Sequence, residues 1–216
     1  MLSCAIECSI SCPRCDSSII LNGPVTVAHC NACQENVEIS EEFWESILNS
    51  VLDDITGEIT EGYGRNSTIF GEFNTRLIFY NMPPVCSKCN KKLDVPEKFT
   101  GNKNIKCSKC DEKNSIKEIP GWMKQHIPSG KFLVNAIMTK DDEPITDLAE
   151  GVALTCPRCG GSLIVDGKER IVPCEFCSLH VFLPDALWLR LHPVLVKSAW
   201  YVVFDENEAK KRKDDD

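Results

Sequence analysis

Apolar residues recur at helical spacing over residues 43–55. Phe43, Trp44, Ile47, Leu48, Val51, Leu52 and Ile55 share one face, and Ser40 stands where an N-cap is needed. The spacing predicts an amphipathic helix. A shorter helix over 186–191 is predicted after Pro184-Asp185, stopping before Pro193. Residues 66–80 read as strand with a break at Gly71, and 199–204 as a buried or paired strand. Two pairs of short apolar runs flank two-residue turn signals: 19–21 and 25–27 around Asn22-Gly23, and 163–165 and 170–172 around Asp166-Gly167. Each is expected to form a β-hairpin. Gly101-Asn102 occupies a comparable place in a longer, less apolar stretch. Residues 139–150 are polar and read as a linker, and 207–216 are almost wholly charged and expected to be disordered.

The cysteines fall between these elements in a fixed order. Twelve of the fourteen form six C-x-x-C pairs. Cys12 and Cys15 precede Cys30 and Cys33 with 14 residues between; Cys86 and Cys89 precede Cys107 and Cys110 with 17 between; Cys156 and Cys159 precede Cys174 and Cys177 with 14 between. A C-x-x-C turn aims two thiolates at one ion, and a tetrahedral site needs a second such turn opposite it. The three stretches 12–40, 86–119 and 156–183 resemble zinc ribbons at the level of the module, without pointing to a specific family. That resemblance implies three structural Zn2+ ions, each held by four of these cysteines. A rubredoxin-like iron site uses the same ligands, and Cys159-Gly160 resembles the knuckle of that family. A disulfide framework suits a secreted chain, and the first residues do not read as a secretory signal, so reduced thiols and a cytoplasmic setting are expected. A catalytic zinc keeps an open position, which four cysteines per site would close.

A longer repeat surrounds the ribbons. Trp44, Trp122 and Trp188 lie 11, 12 and 11 residues past the last cysteine of each site. Aligning Trp122 with Trp188 also aligns His126 with His192 and Lys131 with Lys197. Apolar runs follow at 76–80, 132–138 and 199–204. The expected fold is therefore a small metal-stabilised α+β protein of three tandem zinc-ribbon units, each a ribbon, a short Trp-bearing helix and a strand. The expected divisions are 1–84, 85–150 and 151–206, with a tail at 207–216. Units of about 70 residues have little core, and metal supplies the missing stability.

Composition narrows the function classes. A hydrophobic content of 43% provides a core, and no uncharged apolar run is long enough to span a bilayer. The formal net charge of −8 falls to about −14 if each Zn(Cys)4 centre carries −2. Residues 41–75 hold eight acids and one Arg, net −7, whereas 85–120 hold nine Lys and five acids, net +4. Lys88, Lys91, Lys92, Lys103, Lys106 and Lys109 are the candidate nucleic-acid contacts, with Phe99 the sole aromatic of that ribbon. No phosphate loop, nucleophile elbow or paired-carboxylate motif is present. The expectation is a non-enzymatic adaptor with protein partners, the alternative a nucleic-acid-binding or transcription-associated ribbon protein, and a third an iron redox protein. Cys4 and Cys8 stand outside the repeat and read as buried small residues or an extra ligand pair. His29 and His180 flank ribbon cysteines without replacing one. His126 and His192, four residues past their tryptophans, read as helix-end side chains packed on the indole, or as a ligand or switch.

Overall fold

A computed structural model describes residues 2–71, 73–96, 101–138, 154–163, 165, 170–183 and 199–215. The chain divides into two compact units, residues 1–142 with 196–216 and residues 143–195.

The first unit is built on one sheet whose strand order is β5-β6-β1-β14-β9-β8-β7, with β2 paired to the other half of β1. Its central strand is β1 (Leu2–Ser11), where Cys4, Ile6, Cys8 and Ile10 alternate with Glu7, Ser9 and Ser11. β1 pairs antiparallel with β6 (Thr75–Asn81) through Cys4↔Asn81 to Ser9↔Arg76. On its opposite edge Leu2–Ile6 pair with β14 (Trp200–Phe204), and Cys8–Ser11 pair with β2 (Ser18–Leu21). β14 pairs in turn with β9 (Gly130–Val134), which pairs with β8 (Lys113–Glu118) and through it β7 (Lys103–Lys106). At the other end lies β5 (Gly64–Ile69).

The continuous run of β14 is apolar because both of its faces are covered. Trp200, Val202 and Phe204 join a core formed with β1, β6 and α1 (Glu41–Gly57), and Tyr201 and Val203 join a second core with Ala5, Phe132, Val134, Ile116 and Cys86. α1 forms where the periodicity places it. Ser40 Oγ accepts from the Phe43 amide at 3.2 Å, and Trp44, Ile47, Leu48, Val51, Leu52 and Ile55 are buried. The Trp44 indole meets Trp200 edge-on at 5.9 Å and donates to the Val25 carbonyl at 2.7 Å. α2 (Gly121–His126) contributes Met123 to the same core.

Three differences from the sequence reading have identifiable causes. Residues 19–21 and 25–27 do not form a hairpin: 19–21 belong to β2 on β1, and β3 (Val27–His29) pairs with β4 (Asn36–Glu38). Gly23 serves a close approach instead, since a Cβ there would overlap the Ile137 backbone, whose amide donates to the Asn22 carbonyl at 2.8 Å. Residues 206–215 form a helix, α3 (Glu206–Asp215), where disorder was expected. Asp205 caps it by accepting from the Asn207 and Glu208 amides, and Ala209 packs on the core beside α1. The compact units also depart from divisions at 84/85, 150/151 and 206/207. The strand 199–204, expected to follow the third ribbon within its own unit, is instead an interior strand of the large sheet.

The second unit contains two short hairpins, β10 (Leu154–Thr155) with β11 (Ser162–Leu163) and β12 (Ile171–Pro173) with β13 (His180–Phe182). The expected Asp166-Gly167 turn, the 139–150 linker, the 186–191 helix, Trp188, His192 and Lys197 lie outside the described residues, as does Phe99.

Candidate metal centres

Each C-x-x-C pair is the turn of its own small hairpin, and all six turns share one hydrogen-bond pattern. The amide of the first cysteine donates to the carbonyl five residues on, and the amide four residues on donates back to the cysteine carbonyl. At Cys12 these bonds are 2.9 and 2.9 Å, at Cys30 2.8 and 2.8 Å, at Cys86 2.8 and 3.0 Å. They recur at Cys107, Cys156 and Cys174 between 2.8 and 2.9 Å. The residue after each second cysteine then takes a left-handed conformation: Asp16, Gln34, Asn90, Asp111, Gly160 and Ser178, with φ between 56° and 70°. Asp, Asn and Gly tolerate that region, whereas Gln34 and Ser178 occupy it against their preference. The turn tucks the first cysteine inward, so Cys12, Cys30, Cys86, Cys107, Cys156 and Cys174 are buried. In the second site the Lys88 and Lys109 amides also donate to the sulfurs of Cys86 and Cys107, at 3.4 Å each.

Opposed turns bring the sulfurs into three groups, and these are the groups spaced out in the sequence: Cys12, Cys15, Cys30 and Cys33; Cys86, Cys89, Cys107 and Cys110; Cys156, Cys159, Cys174 and Cys177. Within each group all sulfurs lie within 4.8 Å of one another. Cys12–Cys33 and Cys15–Cys30 are 3.6 and 3.7 Å apart, Cys86–Cys110 and Cys89–Cys107 both 3.6 Å, and Cys156–Cys177 and Cys159–Cys174 3.7 and 3.6 Å. A tetrahedron with metal–sulfur bonds of about 2.3 Å has edges of about 3.8 Å, so the donor sets fit one metal ion each. None of the fourteen cysteines is in a disulfide, which would need sulfurs about 2.05 Å apart.

The protonation pattern of each cluster points the same way. Hydrogen bonds from Ser17 lower Cys15 to about 6, and the Cys159 amide lowers Cys156 to about 6. Against its burial, the Lys88 and Cys89 amides and Asn114 hold Cys86 at about 6. Against the amides of Glu35, Glu112 and Gly161, burial and the neighbouring thiols push Cys33, Cys110 and Cys159 up to about 12. Hydrogen bonds from the Lys109 and Cys110 amides also lower Cys107, so each cluster holds at least one cysteine poised to ionise, the form in which a thiol binds a cation.

The three centres have different surroundings. Cys12 and Cys30 belong to the large core with Ile10, Trp44 and Trp200, and Cys86 and Cys107 to the core on the opposite sheet face. Cys156 and Cys174 pack with only Leu163 and Val181 as buried apolar neighbours among the described residues. In this last site Gly160 supplies the left-handed residue and Gly161 the space for the Phe176 ring, 2.5 Å from where a Cβ would sit.

Sequence reasoning missed Asn114. It is fully buried four residues past Cys110, where the other two sites have Val37 and Val181. Its Oδ1 accepts from the Ser87 amide at 3.0 Å and from Asn135 Nδ2 at 3.1 Å, tying the first turn of the second site to the segment after β9. The signal was a polar residue at a repeat position that is otherwise apolar.

The remaining candidates stand apart from the clusters. Cys4 and Cys8 are buried on the core face of β1, and burial pushes the Cys4 thiol up. His29 engages Asn36 and Gln34 through its two ring nitrogens at 3.0 and 3.1 Å. His126 meets Glu45 at 2.7 Å and Glu41 at 3.5 Å, joining α2 to α1. Lys88, Lys91, Lys92, Lys103, Lys106 and Lys109 are all exposed. No described helix is long and apolar enough to cross a membrane. No protein-family model matches the chain, and neither curated proteins nor solved structures include a match to it.

Proposed function

We propose that this chain is a non-enzymatic adaptor that holds three structural zinc ions and binds other proteins in a cytoplasmic complex. The observation that carries the reading is the completeness of the donor sets. Four cysteines converge at each site, so a tetrahedral ion has no position left for water or substrate. Zinc is the default for such sets, because it has no redox chemistry and no geometric demand beyond the tetrahedron. Fourteen cysteines with none in a disulfide suit a reducing compartment. Large apolar side chains remain at the surface, with Tyr63 70% and Phe70 83% exposed, which favours a protein-binding role.

The test is affinity purification with chemical cross-linking from the native host, combined with elemental analysis. The expected result is about three zinc per chain and cross-links to a defined protein partner. Ferric-thiolate absorbance in the visible would replace zinc with iron and move the reading to electron transfer. A second reading is supported by the six exposed lysines of the second ribbon. If the chain binds DNA or RNA with steep salt dependence, and neutralising Lys88, Lys91 and Lys92 abolishes it, nucleic acid is the partner instead.

A further inference from the structure

The two ends of the large sheet differ in a way that bears on binding. A terminal strand presents unpaired amides and carbonyls, and proteins commonly blunt such edges with lysine, proline or a covering element. β7 carries Lys103 and Lys106, both exposed. β5, Gly-Arg-Asn-Ser-Thr-Ile, has neither Lys nor Pro; among the described residues it pairs only with β6, and five of its six residues are exposed. Every second residue of an antiparallel edge strand directs its amide and carbonyl away from the neighbouring strand, so among the described residues β5 offers a row of donors and acceptors that no other strand takes up. Exposed Tyr63 and Phe70 bracket the strand, and exposed Ile69 and Tyr80 lie on the same hairpin.

The rim is acidic. Residues 53–65 hold Asp53, Asp54, Glu58 and Glu61 against the single Arg65, four acids less one base, net −3. Arg65, on β5 itself, reaches Asp54 at 2.9 Å and Glu58 at 2.8 Å, which places those carboxylates at this edge. Two copies joined edge to edge would bring two such rims together, and like charges in register oppose that arrangement.

We propose that the β5 edge receives an extended, basic segment of a partner protein as an added antiparallel or parallel strand. Main-chain hydrogen bonds to β5 supply affinity, Lys or Arg side chains answer Glu58 and Glu61, and apolar side chains cover Tyr63 and Phe70. This rests on the adaptor reading and names its binding surface.

The test uses the metal-loaded full chain and a synthetic peptide of about eight residues alternating Lys and Val, followed by amide chemical shifts. Shifts concentrated in residues 64–69 are expected. N-methylation of alternate peptide amides, Glu61→Lys and Phe70→Ser should each weaken binding, the first by about tenfold or more. Both protein variants change exposed side chains, and an unaltered spectrum outside 60–81 verifies that the fold is retained. Equal binding by a Glu-Val peptide, or binding indifferent to N-methylation, overturns the proposal. So does dimerisation of the chain through residues 64–69, which would make a second copy the occupant. If peptides fail while cross-links to a native partner map elsewhere on the chain, the edge assignment falls and the adaptor reading stands. Absence of any native partner removes the adaptor reading itself.

Discussion

The first and third metal centres share the same turns, sulfur separations and order of burial, with the first cysteine of each turn buried and the second exposed or half-buried, yet they stand in unlike surroundings. Cys12 and Cys30 are two members of a core that includes Trp44, Trp200, Phe79 and the whole inner face of α1. Among the described residues, Cys156 and Cys174 are half of a buried cluster whose other members are Leu163 and Val181. A knuckle fixes local geometry in either setting. How much stability depends on the ion is set by the apolar area buried around it, and a unit with little such area must draw on the metal.

The largest effect should therefore come from metal removal. Chelation, or Cys174→Ser, is expected to unfold residues 154–183, because a structural metal site of the zinc type contributes on the order of 10 kcal/mol and the small apolar cluster among the described residues is no substitute. Hydrogen exchange should rise throughout those residues while β1, β6, β14 and α1 stay protected. Cys30→Ser should lose one ion in three and leave that sheet protected. Equal collapse of both units, or persistence of the third site without metal, would break the comparison. Acidification should act in the same order. Metal binding requires thiolates, so affinity falls as pH falls, and the second unit should open at a higher pH than the sheet.

Trp44→Ala tests the other side. It removes the indole that meets Trp200 and donates to Val25, and a loss of about 3–5 kcal/mol is expected in the first unit. Metal content at the third site should not change, and denaturant unfolding with metal analysis would measure both. A smaller effect is expected within the knuckles. Gly160 has φ of 70° and, among the described residues, nothing within 4 Å of where a Cβ would sit, so Gly160→Ala costs backbone strain alone, about 1 kcal/mol. Ser178→Gly, at φ of 56°, should stabilise by up to about 1 kcal/mol. The smallest is Arg65→Ala, which removes two ion pairs of a half-exposed guanidinium and should cost about 1 kcal/mol or less in thermal unfolding.

Local signals were legible where a residue's role is set by its neighbours in sequence. Ser40 and the apolar stripe of α1 announced a helix because capping and periodicity act within a few turns. Pairs of cysteines three apart announced the turns because the geometry closes within six residues. Asn22-Gly23 misled because glycine serves a hairpin turn and a close backbone approach equally well, and only the position of Ile137 distinguishes them. The charged tail misled because composition does not reveal that Asp205 caps a helix or that Ala209 meets the core. Asn114 looked like an ordinary ribbon residue until Ser87 and Asn135 were seen to converge on it.

Taken alone, the sequence determined six cysteine turns, their grouping into three sites, α1 and the apolar runs that became β6, β9 and β14. Tertiary structure decided where those runs go. All three join one sheet around β1 in the order β6-β1-β14-β9, with Leu2 opposite Phe204 across nearly the whole chain. The physical reason is that turns and helices satisfy their hydrogen bonds locally, whereas a strand leaves its pairing partner unspecified. That partner is selected by which faces can be buried together, a condition no short stretch of sequence states by itself.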